Sequence, residues 1–230
     1  MFTGLVREIG TVRRVSGAGG VVRLEIGGPE TAACAKVGDS IAVDGICLTV
    51  TGLTRKGFTA DAAAETRRLT TLATWRPGRR VHLEPSLRAG DPLDGHLVQG
   101  HVDGRGTIRT IVQVGGSWLM TVNLDPEQAR FLTPKGSVAV DGVSLTVDEG
   151  PFDGSFTVNI IPHTWQETTF AAARPGRQVN LEMDVLVKAA RGGGWSSLPK
   201  LEKNSNSGER TPLTMERLRS FGFGRDRGRK

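Results

Sequence analysis

The chain has little cysteine and no long apolar run, and both absences narrow its class. Its 230 residues include only Cys34 and Cys47, too few for a disulfide scaffold or a cysteine-rich zinc site. No segment approaches the ~20 consecutive apolar residues that span a bilayer. The first residues also lack the charged and apolar regions of a secretion signal. These absences exclude a membrane protein, a secreted mini-domain and a zinc finger, and they predict a cytoplasmic protein.

Net charge is absent from most of the chain. Residues 1–190 carry 20 Lys and Arg against 20 Asp and Glu, whereas residues 191–230 carry 10 against 4, so the tail holds the whole net charge of +6. The body therefore gives no electrostatic reason to expect a nucleic-acid partner. The tail is basic and rich in glycine, which favours a flexible, disordered segment over one that binds nucleic acid.

The sequence is one unit repeated twice. Three pairs of segments align, with an offset that grows from 96 to 98 residues: 3–12 with 99–108, 41–50 with 138–147, and 76–84 with 174–182. Small loop insertions explain this drift, and two copies are too few for a solenoid. We therefore predict two homologous domains and a tail, with the boundaries 1–96, 97–189 and 190–230.

Each copy has the pattern of a mostly β domain. Residues 22–26 and 81–84 alternate apolar and polar side chains, as half-buried strands do. Gly45 and Gly142 each follow an aspartate between apolar runs, which indicates a hairpin turn. Asp125 precedes a first-turn proline and indicates a short helix. About six short strands in ~90 residues predict an all-β fold in which each copy forms a small closed barrel.

Reactive groups differ between the two copies. Four positions at which the copies carry different chemistry are Cys47 against Ser144, Leu5 against His101, Glu65 against His163, and Ser86 against Asp184. The first copy supplies a thiol, and the second supplies imidazole, hydroxyl and carboxylate groups. A cysteine in an apolar strand is more often a small buried hydrophobe than a nucleophile. Cys47 and Thr49, like Ser144 and Thr146, point to one face of a strand, either toward solvent or toward a ligand.

His96 and His101 raise the question of a metal site. Their five-residue spacing does not place both side chains on one face of a strand or helix, and no third ligand stands nearby in the sequence. A structural role is therefore the stronger interpretation.

Several long motifs, in order, resemble the riboflavin synthase family of the alpha-chain type. They are Met-Phe-Thr-Gly at 1–4, Val-Asp-Gly-Ile-Cys-Leu-Thr-Val at 43–50, Gly-His-Leu-Val-Gln-Gly-His-Val-Asp-Gly at 95–104, Lys-Gly at 135–136, Val-Asp-Gly-Val-Ser-Leu-Thr-Val at 140–147 and Asn-Leu-Glu-Met-Asp at 180–184. The resemblance covers roughly residues 1–189 and includes the duplication.

The resemblance implies a fold and a reaction. The fold is two tandem six-stranded Greek-key β-barrels with short helices. The reaction converts two molecules of 6,7-dimethyl-8-ribityllumazine into riboflavin and 5-amino-6-(D-ribitylamino)uracil, and it needs no cofactor or metal because electrons move between identical substrates. Each barrel of the family holds one lumazine, and the working site lies between the N-terminal barrel of one subunit and the C-terminal barrel of another. A homotrimer and an association with lumazine synthase are also implied.

The resemblance further implies site residues. The first pocket would be lined by Phe2, Gly4, Leu5, Val6, Cys47, Leu48, Thr49, Asp61, Ala62, Ala63, Ala64, Glu65 and Thr66. The second would be lined by Gly100, His101, Val102, Ser144, Leu145, Thr146, Asn159, Ile160, Ile161, Pro162, His163 and Thr164, with Lys135 nearby. His101 is the candidate for proton transfer, and Cys47 or Ser144 would supply or orient a nucleophile. Supporting polar residues would be Ser40, His96 and Asp184.

One departure and two alternatives accompany this interpretation. The helix that follows the second barrel and helps to hold the family's trimer is reduced here to about two turns before three glycines at 192–194. Relatives with the same two barrels bind lumazine or flavin without catalysis, so a carrier is the main alternative. A flavin-binding reductase is weaker, because no Gly-rich strand-to-helix turn is present.

Overall fold

The computed structural model describes residues 1–18, 20–152 and 154–191, and within them the chain forms twelve strands. Elements of the first repeat, in chain order, are β1 Glu8–Ala18, β2 Val21–Gly27, α1 Pro29–Cys34, β3 Ser40–Val43, β4 Ile46–Thr54, β5 Gly57–Ala62, α2 Ala64–Leu69, a 3₁₀ turn Thr71–Thr74 and β6 Arg80–Pro85. Elements of the second repeat are β7 Gly104–Val114, β8 Ser117–Asn123, α3 Pro126–Ala129, β9 Ser137–Val140, β10 Val143–Phe152, β11 Ser155–Ile160, α4 Pro162–Gln166, a 3₁₀ turn Thr169–Ala172 and β12 Gln178–Met183. A last helix, α5 Val185–Ala190, follows.

The strands close into two antiparallel barrels. The first has the strand order β1-β2-β5-β4-β3-β6 and the second has the equivalent order β10-β11-β8-β7-β12-β9. In each barrel the third strand does not pair with the second. The third, fourth and fifth strands form two successive hairpins, and the fifth strand then pairs with the second, which is a Greek-key arrangement. The prediction of two tandem six-stranded Greek-key barrels is confirmed.

Local sequence explains the tight hairpins. β3 and β4 are joined by Asp44 at φ 46° and Gly45 at φ 77°, and β9 and β10 by Asp141 at φ 46° and Gly142 at φ 79°. Two central residues with positive φ form the turn that suits the twist of a two-residue hairpin, and Asp-Gly is favoured there. The hairpin prediction at both positions is therefore confirmed.

These two turns are also where the barrels touch. A Cβ atom on Gly45 would lie 2.7 Å from the backbone nitrogen of Gly142, and a Cβ on Gly142 would lie 2.7 Å from that of Gly45. Only glycine allows two backbones to approach this closely. A small apolar cluster continues the contact, formed by Phe2, Ala42, Val98 and Ala139 with Cys47 packed against it.

The strand β6 corrects one sequence prediction. Its alternating pattern predicts a half-buried strand, but His82 and Glu84 are only 3% and 6% exposed. The outer face of β6 is covered, because His82 contacts the second barrel and Glu84 binds the chain near Thr3. Polar side chains on this face are buried because each has hydrogen-bond partners there.

The last helix is as short as the sequence predicts. α5 has six residues, and the Asp184 side chain accepts a hydrogen bond from the Leu186 N–H at its start. Lys188 on this helix pairs with Asp103 at 2.9 Å. Apart from Ala190 and Arg191, the predicted tail lies outside the described residues. Among the helices that are described, none is long and apolar enough to cross a membrane.

Candidate functional site

Two short segments outside the barrels place backbone against the hairpin strands. The first segment, residues 1–7, is held by the buried carboxylate of Glu84: the N–H and Oγ1 of Thr3 donate to Oε1 at 2.6 and 2.8 Å, and the N–H of Gly4 donates to Oε2 at 3.0 Å. The Gly4 carbonyl then accepts the Ser144 N–H at 2.8 Å. Glu84 of the first barrel thus fixes this segment against the second barrel.

The second segment, residues 99–103, repeats this arrangement in the opposite direction. The N–H groups of Gln99 and Gly100 donate to the two carboxylate oxygens of Glu182 at 2.7 and 2.9 Å. The Gly100 carbonyl accepts the Cys47 N–H at 2.9 Å. Burial raises the pKa of Glu84 and of Glu182, and the hydrogen bonds from the backbone act against this rise by favouring the charged form.

Each crossing segment completes a pocket. The N-terminal pocket, a cavity of about 210 Å³, is lined by Ile46, Cys47, Glu65, Thr66, Leu69, Thr70, Gly100, His101 and Val102. The C-terminal pocket, a cavity of about 220 Å³, is lined by Gly4, Leu5, Val6, Arg7, Val143, Ser144, His163, Thr164, Glu167 and Thr168. Apart from Arg7, the two sets are equivalent positions of the repeat. The duplication therefore builds two similar pockets of nearly equal volume.

The structure corrects the assignment of the crossing segments. The sequence interpretation places residues 4–6 in the first pocket and residues 100–102 in the second, each with its own repeat. Instead Leu5 and Val6 lie beside Ser144, and His101 and Val102 lie beside Cys47. The exchange has a physical cause: each segment precedes the first strand of its barrel and is fixed on its outer side by the buried glutamate.

The exchange changes which groups share a pocket. Cys47 and His101 both line the N-terminal pocket, so a thiol and an imidazole share one cavity. His101 is exposed, and Cys47 is a free, half-buried cysteine. Imidazole is a side chain suited to proton transfer near neutral pH.

The C-terminal pocket holds a hydroxyl supported by a buried histidine. His96 Nδ1 lies 2.7 Å from Ser144 Oγ, and among the described residues His96 Nε2 is buried without a hydrogen-bond partner. Burial lowers the pKa of His96, although the charge of Asp184 acts in the opposite direction. The lowered pKa favours a neutral ring. A neutral imidazole bonded to a serine is an arrangement that can draw a proton from the hydroxyl. His163 supplies a second imidazole to the same pocket.

Four predicted site residues lie elsewhere in the chain. Lys135 lines neither pocket: its side chain is 73% exposed, and its ammonium group pairs with Asp148 at 2.5 Å. Ser40 lines a separate cavity of about 270 Å³ with Cys34, Ser86 and Arg88. Asp184 caps α5, and Phe2 is buried between the barrels next to Cys47.

Twelve further predicted contacts also line neither cavity, and they differ by the face of the strand on which they lie. Leu48, Leu145, Ala62 and Ile160 are buried in the barrel cores, so only their backbone groups can face a ligand. Their neighbours on the other face or on the following turn are outside the barrel cores: Thr49, Thr146, Asp61, Asn159, Ala63, Ala64, Ile161 and Pro162. The period-two prediction for β4 and β10 is confirmed, because Cys47 and Ser144 share the outer faces with Thr49 and Thr146.

Some residues that line the two pockets are not predicted from the sequence. Thr70 and Thr168 line the two pockets from equivalent positions, as do Leu69 and Glu167, and Arg7 lines the second pocket. The signal was present, because a Thr-Thr pair recurs in both copies at 70–71 and 168–169. Each first threonine accepts the N–H two residues later and begins the 3₁₀ turn.

Metal ligation finds no support in these pockets. Within residues 1–18, 20–152 and 154–191 no group of three or more His, Cys, Asp or Glu side chains could hold a metal ion. His96 and His101, the pair considered from the sequence, line or support different pockets.

Comparison with known proteins adds independent information. The model of the lumazine binding domain matches residues 3–86 and 99–184, one match for each barrel. Curated relatives include the riboflavin synthase of Bacillus amyloliquefaciens, which is 42% identical over 82% of this chain and 87% of its own. That of Mycobacterium tuberculosis (strain ATCC 25618 / H37Rv) is 43% identical over 82% of this chain and 95% of its own.

Solved structures support the fold. LumP complexed with 6,7-dimethyl-8-(1'-D-ribityl) lumazine aligns with a TM-score of 0.72 at 22% identity, and LumP complexed with riboflavin aligns with a TM-score of 0.74 at 21% identity. Both alignments cover 80% of this chain and 99% of the other chain.

Proposed function

Because this chain belongs to the riboflavin synthase family of lumazine-binding proteins, we propose that it transfers a four-carbon unit between two molecules of 6,7-dimethyl-8-ribityllumazine. The products are riboflavin and 5-amino-6-(D-ribitylamino)uracil. The observation that carries the proposal is the pair of equivalent pockets of about 210 and 220 Å³, since a reaction between two identical molecules needs two related binding sites. The four-carbon unit and the electrons that one substrate gains are those that the other loses, while each substrate keeps its own four nitrogens, so the net reaction needs no cofactor.

The first chemical requirement is removal of a proton from the acidic methyl group on carbon seven of one lumazine. His101 is the candidate base, since it lines the N-terminal pocket and is accessible. Imidazole is well matched to proton transfer near neutral pH. Cys47 lies in the same pocket, where it orients the ring or assists as a nucleophile.

The second requirement is addition of a nucleophile at carbon seven of the other lumazine. Ser144 is the candidate group in the C-terminal pocket, either adding directly or orienting a water. His96 supports it from 2.7 Å. Holding the two rings face to face then replaces a bimolecular encounter by a positioned one.

A working site must bring one N-terminal and one C-terminal pocket together, and we propose that two subunits do so. Oligomer formation is part of this proposal, with a homotrimer as the family's arrangement. α5 has only six residues, so the contacts between subunits would draw on other surfaces as well. An association with lumazine synthase and a cytoplasmic location remain predictions of the family resemblance.

A carrier protein would have the same fold, but lumazine binding alone does not explain the reactive side chains in the two pockets. A protein that only binds lumazine needs neither Cys47 beside His101 nor a buried imidazole bonded to Ser144. The 42% and 43% identity to riboflavin synthases also favours the enzyme.

Co-expression of two impaired variants tests whether the working site is built from two subunits. His101→Ala impairs the N-terminal pocket and Ser144→Ala the C-terminal one, so each pure variant is expected to form riboflavin slowly. Co-expression of the two should restore a substantial fraction of wild-type activity, because mixed oligomers contain sites with one intact pocket of each kind. Riboflavin formation from lumazine alone is the measurement. Activity of the mixture equal to the average of the two variants would contradict a site built from two subunits.

A further inference from the structure

A buried histidine and a buried asparagine join the two barrels at equivalent positions of the repeat. His82 lies on β6 and Asn180 on β12, with exposures of 3% and 1%. Each is fixed by its own backbone: the His82 N–H donates to Asp44 Oδ1 at 2.8 Å, and the Asn180 N–H donates to Asp141 Oδ1 at 2.7 Å.

The ring of His82 makes two hydrogen bonds with the second barrel. Nδ1 lies 2.8 Å from the carbonyl oxygen of Asp141, and Nε2 lies 2.8 Å from the backbone nitrogen of Thr169. A carbonyl can only accept and a backbone N–H can only donate, so Nδ1 carries the hydrogen and Nε2 accepts. These partners together require the neutral ring.

Asn180 makes the same two bonds in the opposite direction. Its Nδ2 donates to the carbonyl oxygen of Asp44 at 2.8 Å, and its Oδ1 accepts the N–H of Thr71 at 2.8 Å. The asparagine amide therefore does in one barrel what the imidazole does in the other. Of these two side chains, only the imidazole can take up a proton within the physiological range.

The two acceptor atoms, His82 Nε2 and Asn180 Oδ1, each bind the N–H of a threonine that lies next to a pocket-lining residue. Thr169 directly follows Thr168, which lines the C-terminal pocket, and Thr71 directly follows Thr70, which lines the N-terminal pocket. In each pair, the first threonine caps a 3₁₀ turn and the second is the first residue of that turn. The first barrel therefore supports the second pocket through His82, and the second barrel supports the first pocket through Asn180.

From this geometry we infer that His82 is a positioning residue that makes the C-terminal pocket sensitive to pH, whereas Asn180, whose amide does not titrate, has no such effect on the N-terminal pocket. Protonation would place a hydrogen on Nε2 opposite the N–H of Thr169, so two donors would face each other and the bond would be lost. The inference deepens the proposed function and rests on it for its effect on the reaction.

The surroundings of His82 set the direction of the effect. Asp44 Oδ1 lies 3.7 Å from Nδ1, Arg79 and Arg177 bind Asp44 and Asp141, and the ring meets the edge of Phe170. Burial is the largest influence and lowers the pKa of His82 below its ordinary 6.5, although the Asp44 charge acts against it. Burial, and next the Asp44 charge, also raise the pKa of Asp141 to about 7, so this carboxyl titrates in the same pH range, and only the difference between the wild type and His82→Asn is assigned to His82. Because the unfolded or opened chain takes up a proton more readily than the folded chain, support of Thr169 is complete above pH 6.5 and declines as the pH falls below it.

Amide hydrogen exchange tests the inference without turnover. In the wild type, exchange of the Thr169 amide relative to that of Thr71, after correction for intrinsic rates, is expected to rise by up to about tenfold from about pH 7.5 to about pH 5.5, because the opened chain takes up the His82 proton over this range more readily than the folded chain. His82→Asn copies the Asn180 arrangement and should abolish the rise. Asn180→His should give Thr71 a similar dependence.

Kinetics supply the second readout. The KM for lumazine in riboflavin formation should increase toward low pH more in the wild type than in His82→Asn, with kcat at about pH 8 similar in both. A Thr169 exchange ratio that is flat with pH, or that rises equally in His82→Asn, would overturn the inference. Absence of riboflavin from a chain with the expected exchange pattern would instead overturn the proposed function.

Discussion

Replacement of His101 by alanine is expected to lower kcat for riboflavin formation by ~10²–10⁴-fold, the usual contribution of a positioned general acid or base. The expectation rests on the place of His101 in the N-terminal pocket beside Cys47. The side chain is exposed, so the free energy of unfolding should change by less than about 0.5 kcal/mol. Steady-state kinetics and thermal unfolding measure the two effects.

Leu5 provides the matched control, because it occupies the equivalent position of the C-terminal pocket. Leu5→Ala removes a similar contact surface without removing an imidazole, and it should raise KM more than it lowers kcat. An equal loss of kcat in both variants would show that His101 acts by shape alone. Full activity of His101→Ala would exclude it as the base.

Replacement of Gly100 by alanine is expected to disassemble the N-terminal pocket and to lower riboflavin formation at least about 100-fold. Gly100 has φ +79°, and a Cβ there would lie 2.6 Å from Cys47 Cβ and 2.9 Å from Cys47 N. The segment that carries His101 must therefore move away from the hairpin strand. Calorimetric titration should show one lumazine site per chain instead of two.

Gly78→Ala separates this steric clash from backbone strain. Gly78 has φ +92°, but nothing lies within 4 Å of the position of its Cβ, so alanine there should cost only the ~1–2 kcal/mol of a left-handed residue. Its binding stoichiometry and activity should stay at wild-type levels. If Gly100→Ala behaves like Gly78→Ala, the crossing segment is not required for the pocket.

The sequence predicts the barrels well because its signals are local. The aspartate-glycine pairs at Gly45 and Gly142 determine two hairpins through φ/ψ preferences alone. The alternation along β2 and the proline-marked start of α3 are local in the same way. Two copies of one pattern make each of these predictions twice.

The pockets are harder to predict because distant residues complete them. Alignment of the repeats places Leu5 with the first barrel and His101 with the second, whereas buried Glu84 and Glu182 direct each segment across to the other. Nothing local in the sequence distinguishes these glutamates from exposed strand residues. For the same reason, the match of His82 with Asn180 is visible in the repeat but its contact with the opposite barrel is not.

Incubation of the purified protein with 6,7-dimethyl-8-ribityllumazine alone tests the central claim most directly. Riboflavin should appear by absorbance at half the rate at which lumazine is lost, with no added cofactor, because every turnover consumes two identical substrates and releases one riboflavin. Lumazine that binds with no formation of riboflavin would contradict the claim and would assign the two pockets to a carrier.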